Sequence, residues 1–98
     1  MRFKEDITAR IHADFGEDFN NAFEILRSAI EKTDDLNSDR IIRCIIFLAK
    51  GNIDALHKYI KVATVDPRDI MLWAEYEASN SSADHKRLRD FDKTFEEN

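Results

Sequence analysis

The side chains in this 98-residue sequence that could carry chemistry are few and scattered. Histidine stands at His12, His57 and His85, each on a different predicted helix. None has a second histidine or cysteine three or four residues away, the spacing that puts two metal ligands on one helix face. No metal site is therefore expected. The single cysteine, Cys44, lies inside the most apolar run of the chain, so it reads as an inert core thiol; a nucleophile would need exposure and a lowered pKa. Glu75 and Glu77 could be taken for an acid–base pair. Two residues apart on a helix, however, they point about 200° from one another. No glycine-rich phosphate loop, nucleophile elbow or dinucleotide fingerprint is present. The expectation is a protein with no catalytic residues and no cofactor.

Arg40 and Arg43 are the residues that demand an explanation. They are three apart and so share one face of a helix that is otherwise apolar. Either that face reaches solvent, or a guanidinium is buried and paired. The segment Trp73-Ala74-Glu75-Tyr76-Glu77 offers acids within an aromatic patch. A structural ion pair between Arg43 and Glu75 or Glu77 is the expectation, set against a solvated arginine strip.

The helix that carries the arginines, about residues 40–50, is apolar almost all round. A surface helix shows only an apolar stripe, so this one is expected at the centre of the fold. Ser38 is a natural cap for it, and Gly51 suits a left-handed turn at its end. Amphipathic helices are predicted around it. The first runs from about Phe3 to Phe15, with Phe3, Ile7, Ile11 and Phe15 as a stripe. The second runs from Glu17 to Lys32, with Phe19, Ala22, Phe23, Leu26, Ala29 and Ile30. Asn52 caps a helix carrying Ile53, Leu56, Tyr59, Ile60 and Ala63. Asp66-Pro67 opens another, running to about Ala78 with Ile70, Trp73, Ala74 and Glu77 on one face. Residues 79–82 read as a hinge before a last helix from Ala83 to Phe95, striped by Leu88, Phe91 and Phe95. The predicted fold is all-α: a single domain, a compact bundle of five to six short helices around the buried segment 40–50.

Composition agrees with helices. The chain is 43% hydrophobic and 36% charged, with only two glycines and one proline, and sheets need more turn residues than that. The net charge is −5. Residues 1–34 carry −3, residues 35–66 carry +1 and residues 67–98 carry −3. Acidic ends argue against nucleic acid, which favours a basic face. The same holds for a helix-turn-helix reading of Asn52–Glu77, whose second helix has one base and three acids between Arg68 and Glu77. No stretch approaches the ~20 apolar residues that cross a bilayer, and Met1-Arg2-Phe3-Lys4-Glu5-Asp6 has no leader character. A cytoplasmic protein without membrane contact is expected.

Gly51-Asn52-Ile53-Asp54-Ala55-Leu56, followed by Tyr59, Ala63 and Asp66-Pro67, resembles the second half of a tetratricopeptide repeat. The likeness spans residues 51–67 and needs a one-residue deletion after Asp54. Arg43 or Cys44 falls near the place where that family keeps a small residue at its helix crossing, and no second copy follows Pro67. What the resemblance implies is a tight helical hairpin. Residues 40–77, with Arg-Cys-Ile-Ile-Phe-Leu-Ala-Lys-Gly and Arg-Asp-Ile-Met-Leu-Trp-Ala-Glu-Tyr-Glu, also resemble a family of small bacterial proteins. That resemblance implies a compact helical domain and brings no activity, cofactor or catalytic residue.

The functional expectation is a non-enzymatic protein-interaction or regulatory module. Its candidate surface is Met71, Trp73 and Tyr76, because that helix has more apolar area than one packing face consumes. A core role for the same three residues is the competing reading. The alternatives are a homodimer held by Leu88, Phe91 and Phe95, and a small ligand-binding or enzymatic helical bundle.

Overall fold

The computed structural model describes residues 3–76 and 87–98. Five α-helices are present among them: α1 (Glu5–Phe15), α2 (Phe19–Lys32), α3 (Asp39–Ala49), α4 (Ile53–Val65) and α5 (Pro67–Glu75). Short 3₁₀ turns occupy Gly16–Asp18, Asp34–Leu36 and Phe95–Glu97. The one extended pairing among the described residues is an isolated antiparallel bridge between Tyr76 and Arg87. The chain is thus all-α. Its radius of gyration is 13.1 Å, close to the roughly 13 Å of a compact chain of about 100 residues. Among the described residues, no helix is long and apolar enough to cross a membrane.

The helix starts follow local chemistry. Ser38 Oγ accepts the Ile41 N–H at 3.4 Å, Asn52 Oδ1 accepts the Ala55 N–H at 2.9 Å, and Asp66 Oδ1 accepts the Arg68 N–H at 3.0 Å. Each satisfies an amide that the helix itself leaves without a partner. Between α3 and α4 the chain turns through two left-handed residues, Lys50 (φ 50°) and Gly51 (φ 77°). Gly51 is required twice over. Its φ favours glycine, and a Cβ there would run into the carbonyl oxygen of Asp14 at the end of α1.

The predicted stripe of α1 is realised, with Phe3, Ile7, Ile11 and Phe15 all buried. In α2, Ala22, Leu26 and Ile30 are buried, and Phe19, Phe23 and Ala29 pack partly against them. On α3, Ile41 through Ile46 are buried in an unbroken run, with Ala49 beyond. The helix packs against α4 and α5 and also meets α1.

The C-terminal part departs from expectation. α5 ends at Glu75, and Tyr76 is already extended (φ −111°, ψ 156°). The helix predicted over Ala83–Phe95 does not form at residues 87–94; its first residues and the predicted hinge at 79–82 lie outside the described residues. The three–four spacing of Leu88, Phe91 and Phe95 suits a helix, but the local polar groups bind the backbone in other ways. Asp90 Oδ1 accepts the Asp92 N–H at 3.1 Å, and the Lys93 N–H returns to the Asp90 carbonyl at 3.0 Å. Thr94 and Glu97 form a reciprocal capping box. Nor do the three side chains form one apolar face. Phe91 is buried in the core, Phe95 packs partly against it, and Leu88 is half exposed.

Candidate functional site

Two regions hold the residues singled out above. The first is a polar cluster inside the fold. The pairing expected between Arg43 and Glu75 is replaced by two pairs, because α1 brings Asp6 to Arg43 and α5 brings Glu75 to Arg40. Arg43 forks onto Asp6, with Nε to Oδ2 at 2.9 Å and Nη2 to Oδ1 at 3.1 Å. Arg40 forks onto Glu75, with Nε to Oε2 at 3.0 Å and Nη2 to Oε1 at 2.5 Å. Bidentate pairing of this kind fixes orientation as well as charge. Glu77 lies outside the described residues.

Both pairs hold the segment 87–98. Glu75 Oε2 accepts the Phe91 N–H at 2.9 Å, and Arg43 Nη1 donates to the Phe91 carbonyl at 3.0 Å. Asp6 Oδ2 accepts the Phe95 N–H at 3.2 Å. The Glu75 carbonyl accepts the N–H groups of Leu88 and Arg89 at 2.7 and 3.1 Å. Burial raises the pKa of the Asp6 carboxyl, but the Arg43 hydrogen bonds, the Phe95 N–H and the Arg43 charge together outweigh it. The group is held below the usual carboxylate range. Beside the cluster lies an open cleft of about 730 Å³, lined among others by Lys4, Asp6, Ser38, Arg40, Arg43 and Asp92. Its arginines are already engaged by carboxylates.

Sequence reasoning picked out Arg40, Arg43 and Glu75 but missed Asp6 and the anchoring role of Phe91. No periodic signal marked Asp6: it adjoins Ile7 in sequence, about 100° round the helix from it, and lies off the stripe of Ile7, Ile11 and Phe15.

The second region is the outer face of α5. Ile70, Ala74 and Glu75 face inward and are fully buried, while Leu72 and Trp73 are 40% and 48% exposed. The Trp73 ring meets Tyr59 of α4 edge-on, with centroids 6.4 Å apart. Met71 is half-buried and packs against the core. Tyr76 is half-buried, with the Arg87 guanidinium 6.0 Å from its ring centre. The structure therefore divides the predicted trio: Trp73 is offered to solvent, and Met71 and Tyr76 are shared between core and surface.

The remaining candidates stay apart. Cys44 is buried, and burial pushes its thiol up to about 12. His12 stacks on the Phe19 ring, and His57 lies on a groove between α2 and α4. His85 is outside the described residues. Among the described residues, no group of three or more histidine, cysteine or carboxylate side chains is placed to hold a metal ion. Comparisons with protein-family models, with curated proteins and with solved structures give no match.

Proposed function

We propose that the protein is a non-enzymatic interaction module whose contact surface is the outer face of α5, centred on Trp73. One observation carries this reading. A tryptophan and a leucine stand side by side, 48% and 40% exposed, on a nine-residue helix whose opposite face is fully buried. Interfaces concentrate their binding energy in such aromatic side chains, and tryptophan leads among them. The partner surface it fits is an apolar pocket with a neutral or basic rim, given the net charge of −5. A cytoplasmic setting belongs to the same proposal. So does the architectural reading of a five- to six-helix bundle built around residues 40–50, which the near-continuous burial of α3 supports.

The test is capture from a lysate of the native host with the wild-type chain and with Trp73→Ala. A stoichiometric protein recovered by the first and lost by the second, with helix content unchanged by circular dichroism, supports the reading. Equal recovery by both forms refutes the assigned surface. A second reading, a small-ligand bundle, draws on the groove of about 470 Å³ between α2 and α4, where Ile25, Ala29 and Ile60 meet Lys32 and His57. Native mass spectrometry distinguishes it by a bound small molecule at constant stoichiometry.

A further inference from the structure

Residues 87–98 are held as a receptor holds a peptide. The backbone of one residue, Phe91, is gripped from both sides by side chains of distant helices: Glu75 of α5 takes its N–H, and Arg43 of α3 reaches its carbonyl. The Phe91 ring is fully buried against Phe47 and Phe95, with centroids 5.4 Å away in each case. Asp6 of α1 takes the Phe95 N–H, and Arg89 reaches back to the Ala74 carbonyl at 3.1 Å. Recognition of main-chain groups together with one aromatic anchor is the chemistry of a peptide groove.

The segment is also organised within itself. Asn98 accepts the Asp90 N–H and donates to the carbonyls of Asp90 and Thr94, at 2.8, 3.0 and 2.9 Å. Together with the Asp90 turn and the Thr94–Glu97 box, this gives the docked segment a compact shape held by its own hydrogen bonds. Ten residues separate Tyr76 from Arg87, and a connection of that length can reach about 35 Å when extended. The length of that connection is therefore no barrier to the segment leaving its groove.

We propose that α1, α3 and α5 form a peptide-recognition groove that the chain's own segment Arg87–Asn98 occupies in cis. The groove takes a turn-forming segment with an aromatic anchor, and Asp6, Arg43 and Glu75 read the backbone around that anchor. The inference does not depend on the α5 outer face. It means that release of the segment uncovers a second, internal docking site.

Native-state hydrogen exchange on the unmodified full chain tests the separation of segment and receptor. The amides of Leu88, Arg89, Phe91 and Phe95 are expected to exchange together, at least tenfold faster than those of Ile42–Ile46. Exchange of both sets at one common rate overturns the proposal, because the segment is then an inseparable part of the core. The full-length variant Phe91→Ala tests recognition, using a fluorescein-labelled synthetic peptide of residues 87–98. In cis the segment competes at an effective concentration in the millimolar range. The peptide is therefore expected to bind the variant at least tenfold more tightly than the wild-type chain, and a Phe91→Ala peptide to bind neither. A folded variant that ignores the wild-type peptide overturns the proposal. Should the variant fail to fold, the exchange rates of the unmodified chain decide.

Discussion

Glu75 is fully buried, yet its partner Arg40 keeps 29% of its side chain exposed. That difference sets the outcome of removing either one. In Glu75→Ala the Arg40 guanidinium turns to water, so its charge adds little. The loss is the acceptor for the buried Phe91 N–H, about 1–3 kcal/mol, and one buried methylene, about 0.8 kcal/mol. A cost of about 2–4 kcal/mol follows. In Arg40→Ala a carboxylate remains in the interior, with the Phe91 N–H and a 3.4 Å contact from Arg87 as its support. Breaking a buried pair in that direction costs about 3–5 kcal/mol. The more exposed partner is thus expected to be at least as expensive to remove. In the double variant the stranded anion is gone, so it should cost little more than Glu75→Ala alone. The expected coupling is about 2 kcal/mol or more, well above the additivity of independent sites. Urea unfolding followed by far-ultraviolet circular dichroism measures all four forms. Additivity within about 0.5 kcal/mol, or a Glu75→Ala cost below about 1 kcal/mol, would show that the pair is not buried as described.

Three further outcomes follow from the same geometry. The Asp6 carboxyl is held below its usual range in the folded chain, so its stabilisation is present above the unfolded pKa of about 3.9. That stabilisation is lost as the pH falls through the lower folded value. Asp6→Asn should lower the urea midpoint at pH 7 and flatten its decline below about pH 4; an unchanged acid limb contradicts this. Gly51→Ala places a Cβ against the Asp14 carbonyl at a left-handed φ. It should cost about 2 kcal/mol or more, and a thermal midpoint within a degree or so of wild type would refute that contact. Cys44, buried and with its thiol pushed up to about 12, should resist maleimide at neutral pH in the folded state and react only once denaturant is added. Rapid native labelling would place it at the surface.

The helices were legible because their signals are local. The caps Ser38, Asn52 and Asp66 and the stripe Phe3–Ile7–Ile11–Phe15 depend on residues within a turn or two of one another. The apolar run of α3 also announced its own burial. The partners of Arg40 and Arg43 were not legible in this way. Spacing showed that two guanidinium groups shared an apolar face, but choosing Asp6 over Glu75 for Arg43 requires knowing where α1 and α5 lie. The C-terminal segment failed for a related reason. Leu88, Phe91 and Phe95 have helical spacing, and the propensity argument stops there. What decides the conformation is that Glu75 and Arg43, far away in sequence, claim the peptide groups of Phe91 that a helix would need. On α5, periodicity marked surplus apolar area but could not divide it; packing buries part of Met71 and leaves about half of Trp73 exposed.

The most direct test of the interaction module is the affinity of its captured partner for the wild-type chain and for Trp73→Ala, measured by titration with purified components. Truncating a central aromatic anchor costs about 2 kcal/mol or more, so the account predicts a Kd at least about thirtyfold weaker for the variant, with its helix content unchanged. Equal affinities for the two forms would contradict it and remove the outer face of α5 from the binding surface.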